Sequence, residues 1–261
     1  MNKNMNILKC FAFSACIVLS WPTLAETLKA CKLNEDYVPI SFPDRVAPGE
    51  KLISMAVQKL GHQVEFNAAP WPRCLDGVRK GQYDLLVGPS PNPKFFDFVA
   101  YPMKAGKPDL ARSLWPVEYR VLRTKGSQTG WDGERCTGLT TPVVYGNTAV
   151  IVKARLDKMG IPSDDSARQI EQLSDMLYHG RTDAVIMRYY EAQSLIASPR
   201  YHGKLEMLPR PFVAFDAYLG MSKQFEASHH ALALSIWNEL GKIRSSHEAA
   251  ELMRSLLSGN N

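Results

Sequence analysis

The sequence predicts an α/β protein of two similar Rossmann-like lobes in tandem, facing each other across a cleft with a hinge. Three observations lead there. The segment 28–88 reads β-α-β-α-β, an order that implies parallel strands with helices on both faces. A similar unit recurs 99 residues later, marked by the glycine pairs Gly61/Gly81 and Gly160/Gly180. A further strand and helix follow the second unit and are free to rejoin the first.

The elements follow in order. Leu28–Leu33 (LKACKL) alternates like a strand. Gly49–Leu60 carries a helical stripe of Leu52, Ile53, Ala56, Val57 and Leu60, closed by Gly61. Gln63–Asn67 is a second strand. Pro72–Arg79 is a helix with proline in its first turn, ended by Gly81. Tyr83–Gly88 (YDLLVG) is a buried-type strand. In the second half, Pro142–Tyr145 is a strand, Thr148–Met159 a helix ended by Gly160, Ile170–Tyr178 a helix ended by Gly180, and Thr182–Met187 a strand. Both units end helix–Gly–x–x–Asp–apolar strand, so Asp84 and Asp183 are expected to tie down the turn rather than to do chemistry. Tyr218–Ser222 returns as a strand. Leu232–Leu257 is read as one helix, with Ile236, Leu240, Ile243, Leu252, Leu256 and Leu257 as its apolar positions. The chain divides into a leader 1–25, a first lobe 26–118, a second lobe 119–217 and a return 218–261. Crossings near Glu118–Leu122 and Phe212–Tyr218 would make the hinge.

The first 25 residues read as an export signal. Lys3 and Lys9 precede an uncharged, mostly apolar run, Cys10–Ser20, which is too short to span a bilayer, where about 20 apolar residues are needed. Trp21-Pro22 breaks the run, and Ala25 is the expected cleavage point. Of the 31 Lys and Arg against 26 Asp and Glu, the two leader lysines are lost on export. The remaining basic residues are scattered, which argues against a nucleic-acid partner or a polybasic membrane patch. Export also removes Cys10 and Cys16. Cys31, Cys74 and Cys136 remain in an oxidising compartment, where one pair and one free thiol is the simplest expectation. Their spacings match no zinc pattern, and the six histidines lack ligand spacing, so no metal and no cofactor are expected.

These segments, taken together, resemble a known family. Leu28-Lys-Ala-Cys31, followed by Tyr37-Val-Pro39 and Phe42, resembles the opening strand and ligand-facing loop of the bacterial extracellular solute-binding proteins of family 3, the amino-acid-type periplasmic binding proteins of ABC importers. Pro70-Trp71-Pro-Arg73-Cys74-Leu75, Gly81-Gln-Tyr-Asp84 and Tyr101-Pro102 continue the resemblance. Trp131-Asp132-Gly133, Val144-Tyr-Gly146-Asn147-Thr148, Gly180-Arg-Thr-Asp183-Ala184 and Tyr218–Ser222 keep the order over nearly the whole exported chain. The resemblance implies a type II periplasmic binding fold that closes on a small polar solute, a monomer in the periplasm, and a membrane permease as partner. It departs from the family at two places. Lys94 stands where an Arg grips the ligand carboxylate, and Arg188 stands where an acid receives the ligand amine. A zwitterionic amino acid is thereby disfavoured, and an anionic or polar neutral solute gains. Cys31 on the first strand and Cys74 at the start of the second helix are expected to pair, leaving Cys136 free; the alternative is two buried thiols.

Ligands of open α/β sheets sit beyond the carboxyl ends of the strands. That rule and the resemblance select Tyr37, Trp71, Arg73, Ser90, Lys94, Asn147, Thr148 and Arg188 as ligand-binding residues. Tyr37 and Trp71 offer aromatic faces. Asn147 and Thr148 open a helix whose free N–H groups favour an anion. Arg73, Lys94 and Arg188 add positive charge, unless Arg188 turns back to pair with Glu191. Catalysis would want a carboxylate or histidine poised in the cleft. Only Glu35 and Asp36 lie near a strand end, and no nucleophile elbow or phosphate loop is present. A binding protein without catalytic residues is therefore expected. An enzyme on the same scaffold, such as a dehydratase, and a sensing module for a membrane receptor are the alternatives.

Overall fold

The computed structural model describes residues 25–146, 149–167 and 169–257. Residues 1–24, which hold nearly all of the expected leader 1–25, the predicted site residues Asn147 and Thr148, and the side chains of Leu256 and Leu257 lie outside what is described.

The first lobe opens with β1 (Thr27–Leu33), α1 (Pro48–Lys59), β2 (Gln63–Ala69), α2 (Trp71–Arg79), β3 (Leu85–Val87) and β4 (Val99–Ala100). A hairpin of β5 (Met103–Lys104) and β6 (Lys107–Pro108) precedes β7 (Trp115–Thr124), and a second hairpin, β8 (Gly130–Trp131) and β9 (Cys136–Thr137), follows it. The second unit is β10 (Val143–Tyr145), α3 (Val150–Lys158), β11 (Ser163–Asp164), α4 (Ile170–Tyr178), β12 (Val185–Arg188) and α5 (Tyr189–Ala197). The chain ends with β13 (Leu205–Ala217), β14 (Leu219–Ser222), α6 (Lys223–Ser228), α7 (His230–Arg244) and α8 (His247–Leu257).

Two five-stranded sheets result, with strand orders β2-β1-β3-β14-β4 and β11-β10-β12-β7-β13. In each, three parallel strands are followed by an antiparallel one. The units repeat in detail. Gly61, Gly81, Gly160 and Gly180 all end helices with positive φ, a conformation glycine adopts without steric cost. Asp84 and Asp183 both fasten their turns as expected. Asp84 accepts from Lys29 N at 2.8 Å. Asp183 accepts from the amides and hydroxyls of Thr140 and Thr141 at 2.5–3.0 Å. Those bonds outweigh the opposing effect of burial and hold the Asp183 carboxyl below its ordinary range.

Strand side chains alternate between the two faces of each sheet. Leu85 and Val87 join one apolar cluster while Leu86 joins another. In the second lobe, Ile186 and its neighbours Val185 and Met187 divide the same way. Cys31 and Cys74, both fully buried, form the disulfide between β1 and α2, with Cα atoms 5.5 Å apart. Cys136 is free, and burial pushes its thiol up.

The helix expected over Leu232–Leu257 is two helices, α7 and α8. The Ser246 hydroxyl accepts from Ala249 N at 3.3 Å, a local bond that favours starting a new helix over continuing the old one. α7 packs on α1. Trp237 Nε1 donates to Leu219 O at 2.8 Å, and Lys59 pairs with Glu239 at 2.7 Å, so the carboxyl-terminal helices return to the first lobe. Sheet membership changes at Leu114–Trp115 and again at Ala217–Leu219, where Leu114 N donates to Ala217 O at 2.8 Å. The division at residue 118 therefore leaves Trp115–Glu118, which pair in the second sheet, with the first lobe. Among the described residues, no helix is long and apolar enough to cross a membrane.

Candidate functional site

Arg188 ends β12 and sits at the N-cap position of α5, so the strand passes into the helix with no loop between them. On the neighbouring strand its register partner is Tyr119. Glu191, in the first turn of α5, pairs with it at 2.7 Å, and only 12% of the arginine side chain and 9% of the glutamate side chain are exposed. The same guanidinium reaches the other lobe. Nη1 donates to Asp36 O at 2.7 Å, and the guanidinium carbon lies 4.7 Å from the centre of the Tyr37 ring. Burial works against the Arg188 charge, but the Glu191 carboxylate and the flanking tyrosine oxygens overcome it and hold the group protonated above its ordinary value. Burial also pushes the Tyr37 phenol up, with Tyr119 adding to it, so the ring stays neutral.

The first-lobe half of the contact is rigidly held. Tyr37 donates from its hydroxyl to Gly88 O at 3.4 Å, and a two-bond bridge joins Tyr37 to Ser41. Gly88 has φ +83°, and a Cβ there would stand 2.9 Å from the Tyr37 ring, so both conformation and space require glycine. Behind the loop, Lys32 of β1 and Glu50 of α1 form a buried ion pair at 3.0 Å. Lys32 Nζ also donates to Phe42 O at 2.6 Å, and Phe42 N donates to Glu50 at 3.1 Å. The pair thus closes on both backbone groups of Phe42 and pins the loop that carries Tyr37.

The remaining predicted residues are placed as follows. Ser90 follows β3 and its carbonyl accepts from the Tyr101 hydroxyl at 3.0 Å. Trp71, at the start of α2, is half-buried and packs on the first-lobe core. Arg73 and Lys94 are exposed, on the first turn of α2 and on a short 3₁₀ turn over Pro93–Phe95. Tyr37 and Arg188 are brought into contact. For Arg73 and Lys94 the structure gives no contact with either.

Sequence reasoning missed Tyr119, which adjoins Arg188. The alternation Val117, Tyr119, Val121 in Trp115–Thr124 carries the strand signal that places it. Arg188 Nε is buried without a hydrogen-bond partner. Among the described residues, no group of three or more His, Cys, Asp or Glu could hold a metal ion.

The chain folds like known two-lobed binding proteins. An amino acid ABC transporter substrate-binding protein from Streptococcus pneumoniae, bound to L-arginine, superposes with a TM-score of 0.65 at 16% identity, over 89% of this chain and 94% of that one. The fold is the type II periplasmic binding fold. The GluR0 ligand-binding core of Nostoc punctiforme, in complex with L-glutamate, gives 0.64 at 12% identity, over 86% and 96%. The BvgS VFT2 domain of Bordetella pertussis gives 0.62 at 15% identity, over 87% and 92%. The sequence matches no protein-family model and no curated protein.

Proposed function

We propose that this chain is a periplasmic solute-binding protein that closes its two lobes on a small polar solute and presents it, as a monomer, to the permease of an ABC importer. The observation that carries this reading is Arg188. It stands at the carboxyl end of a second-lobe strand, where α/β sheets receive ligands, and it meets the Asp36–Tyr37 loop of the first lobe across two chain crossings. Its Nε is buried without a hydrogen-bond partner, a donor that an acceptor atom of the solute would satisfy on this reading. Tyr37, Trp71, Arg73, Ser90, Lys94, Asn147, Thr148 and Tyr119 complete the proposed site.

The preference for an anion loses its main support, because Glu191 neutralises Arg188. It rests now on Arg73, Lys94 and the start of α3. Either way the binding free energy comes from contacts made only in the closed state, without which no ligand shifts the lobes. The chain lacks a catalytic constellation in this reading, and turnover of a bound solute to product would overturn that part.

A sensing role is the second reading, since the similar folds include the BvgS VFT2 domain and a histidine kinase sensor domain similar to periplasmic binding proteins. Titration calorimetry against amino acids, dicarboxylates, polyols and cationic solutes, guided by native mass spectrometry of what co-purifies, tests the proposal. One-site saturable binding, weakened more than tenfold in Arg188→Ala, is expected. Binding of the same solute with wild-type affinity by that variant would remove Arg188 from the site. Uptake into vesicles carrying the permease separates import from sensing.

A further inference from the structure

The geometry points to Arg188 as a built-in latch between the lobes, one that favours the closed form through the chain's own contacts and so sets the free-energy cost of opening. This inference rests on the binding-protein reading for its biological meaning, but its physical basis does not need a solute.

Arg188 belongs to the second lobe by its strand, β12, and its ion-pair partner Glu191 belongs to the same lobe. The pair therefore moves as one body and survives opening. The contacts that opening must break are the Nη1 bond to Asp36 O at 2.7 Å and the stacking on Tyr37 at 4.7 Å. Both are made to a loop that is itself fixed: Tyr37 is tied to Gly88 and Ser41, and Phe42 to the Lys32–Glu50 pair. A rigid acceptor loop matters because a flexible one would follow Arg188 outward and the bond would not resist opening. Glu191 matters for the opposite reason. It holds the guanidinium in one orientation, so little side-chain entropy is lost when the bond to Asp36 forms. The acceptor belongs to the exposed residue Asp36, so the strength of the contact comes from the donor's charge, the burial of the arginine side chain and the cation–π face beside it.

Removing the guanidinium is expected to lower the closed-to-open ratio about tenfold or more, the range of a charge-assisted hydrogen bond. Solute affinity then falls with the closed fraction, because a protein whose competent state is less populated binds more weakly in proportion.

The test is small-angle X-ray scattering on full-length exported chain, unfolded in guanidinium with the disulfide intact, dialysed free of solute and refolded. Arg188→Met alone leaves Glu191 buried and uncompensated, so the informative variant is Arg188→Met with Glu191→Gln, compared with Glu191→Gln alone and with wild type. Thermal melts confirm that each is folded. The double variant should show a larger radius of gyration than wild type, while Glu191→Gln, which keeps the guanidinium, should not. Equal radii in all three proteins overturn the latch. Opening in Glu191→Gln as large as in the double variant also overturns it, since loss of the carboxylate, and not of the guanidinium, would then set the lobe angle. If the double variant opens yet no solute tested recloses it, the latch stands and the binding reading fails.

Discussion

Breaking the Cys31–Cys74 bond is a direct test of how the first lobe is held. The two residues are 43 apart in sequence and join β1, an interior strand of the first sheet, to α2. In the chain-entropy account, a closed loop of that length restricts the unfolded chain by about 13 cal/mol/K, or about 4 kcal/mol at 25 °C. Both residues are fully buried, so serine replacements would add the cost of burying hydroxyls. Alanine at both positions is the cleaner perturbation. A domain of this size loses about 2–4 °C of melting temperature per kcal/mol, which gives about 8–16 °C. Urea unfolding should show the loss together with a larger m-value, because the unlinked unfolded chain exposes more surface. Reduction of the wild type by a thiol reagent should reproduce the double-alanine result once the bond is accessible. A stability difference below about 1 kcal/mol, or an unchanged m-value, would refute the chain-entropy argument.

Three further outcomes are expected. Lys32→Met strands the buried Glu50 carboxylate and should cost about 3–5 kcal/mol at neutral pH. Burial already raises the folded pKa of Glu50 and Lys32 opposes that rise, so stability is lost as pH rises through the folded pKa; a penalty that is the same at pH 5 and pH 8 by urea titration would contradict this. Asp183→Asn removes a charge that four donors stabilise, at about 2 kcal/mol at pH 7. The depressed folded pKa means that this stability is present above the unfolded value and lost as pH falls through the folded one, so wild type and variant should converge in acid and a constant gap would count against it. Gly88→Ala should cost more than about 1 kcal/mol, because alanine is strained at positive φ. By displacing Tyr37 it should also weaken solute binding, so calorimetry showing unaltered affinity would separate Gly88 from the site.

The elements with strong local signatures were legible in the chain alone. The β-α-β-α-β order of the first half, the strands and helices of the second half apart from β11 and α5, the four glycine helix stops and the turn aspartates Asp84 and Asp183 follow from hydrophobic period and backbone freedom, which act over a few residues. So did the pairing of Cys31 with Cys74, because a strand residue and the start of the helix packed on it are close whenever the unit folds. β7 and β13 were not read, although Val117, Tyr119 and Val121 alternate along β7. Their pairing joins Trp115 to Ala217 and Thr124 to Leu205, partners so far apart in sequence that no local pattern announces them. The break between α7 and α8 was hidden for a smaller reason: a single serine hydroxyl decides between continuing a helix and capping a new one. At the site, sequence placed Tyr37 and Arg188 at strand ends but could not say that they meet, and it named Glu191 as the arginine's alternative partner without deciding between that pair and a free charge. The Glu191 pairing depends on how the β12–α5 junction orients two side chains three residues apart, and the Asp36 and Tyr37 contacts on distances of a few ångströms between lobes; only the folded chain fixes those.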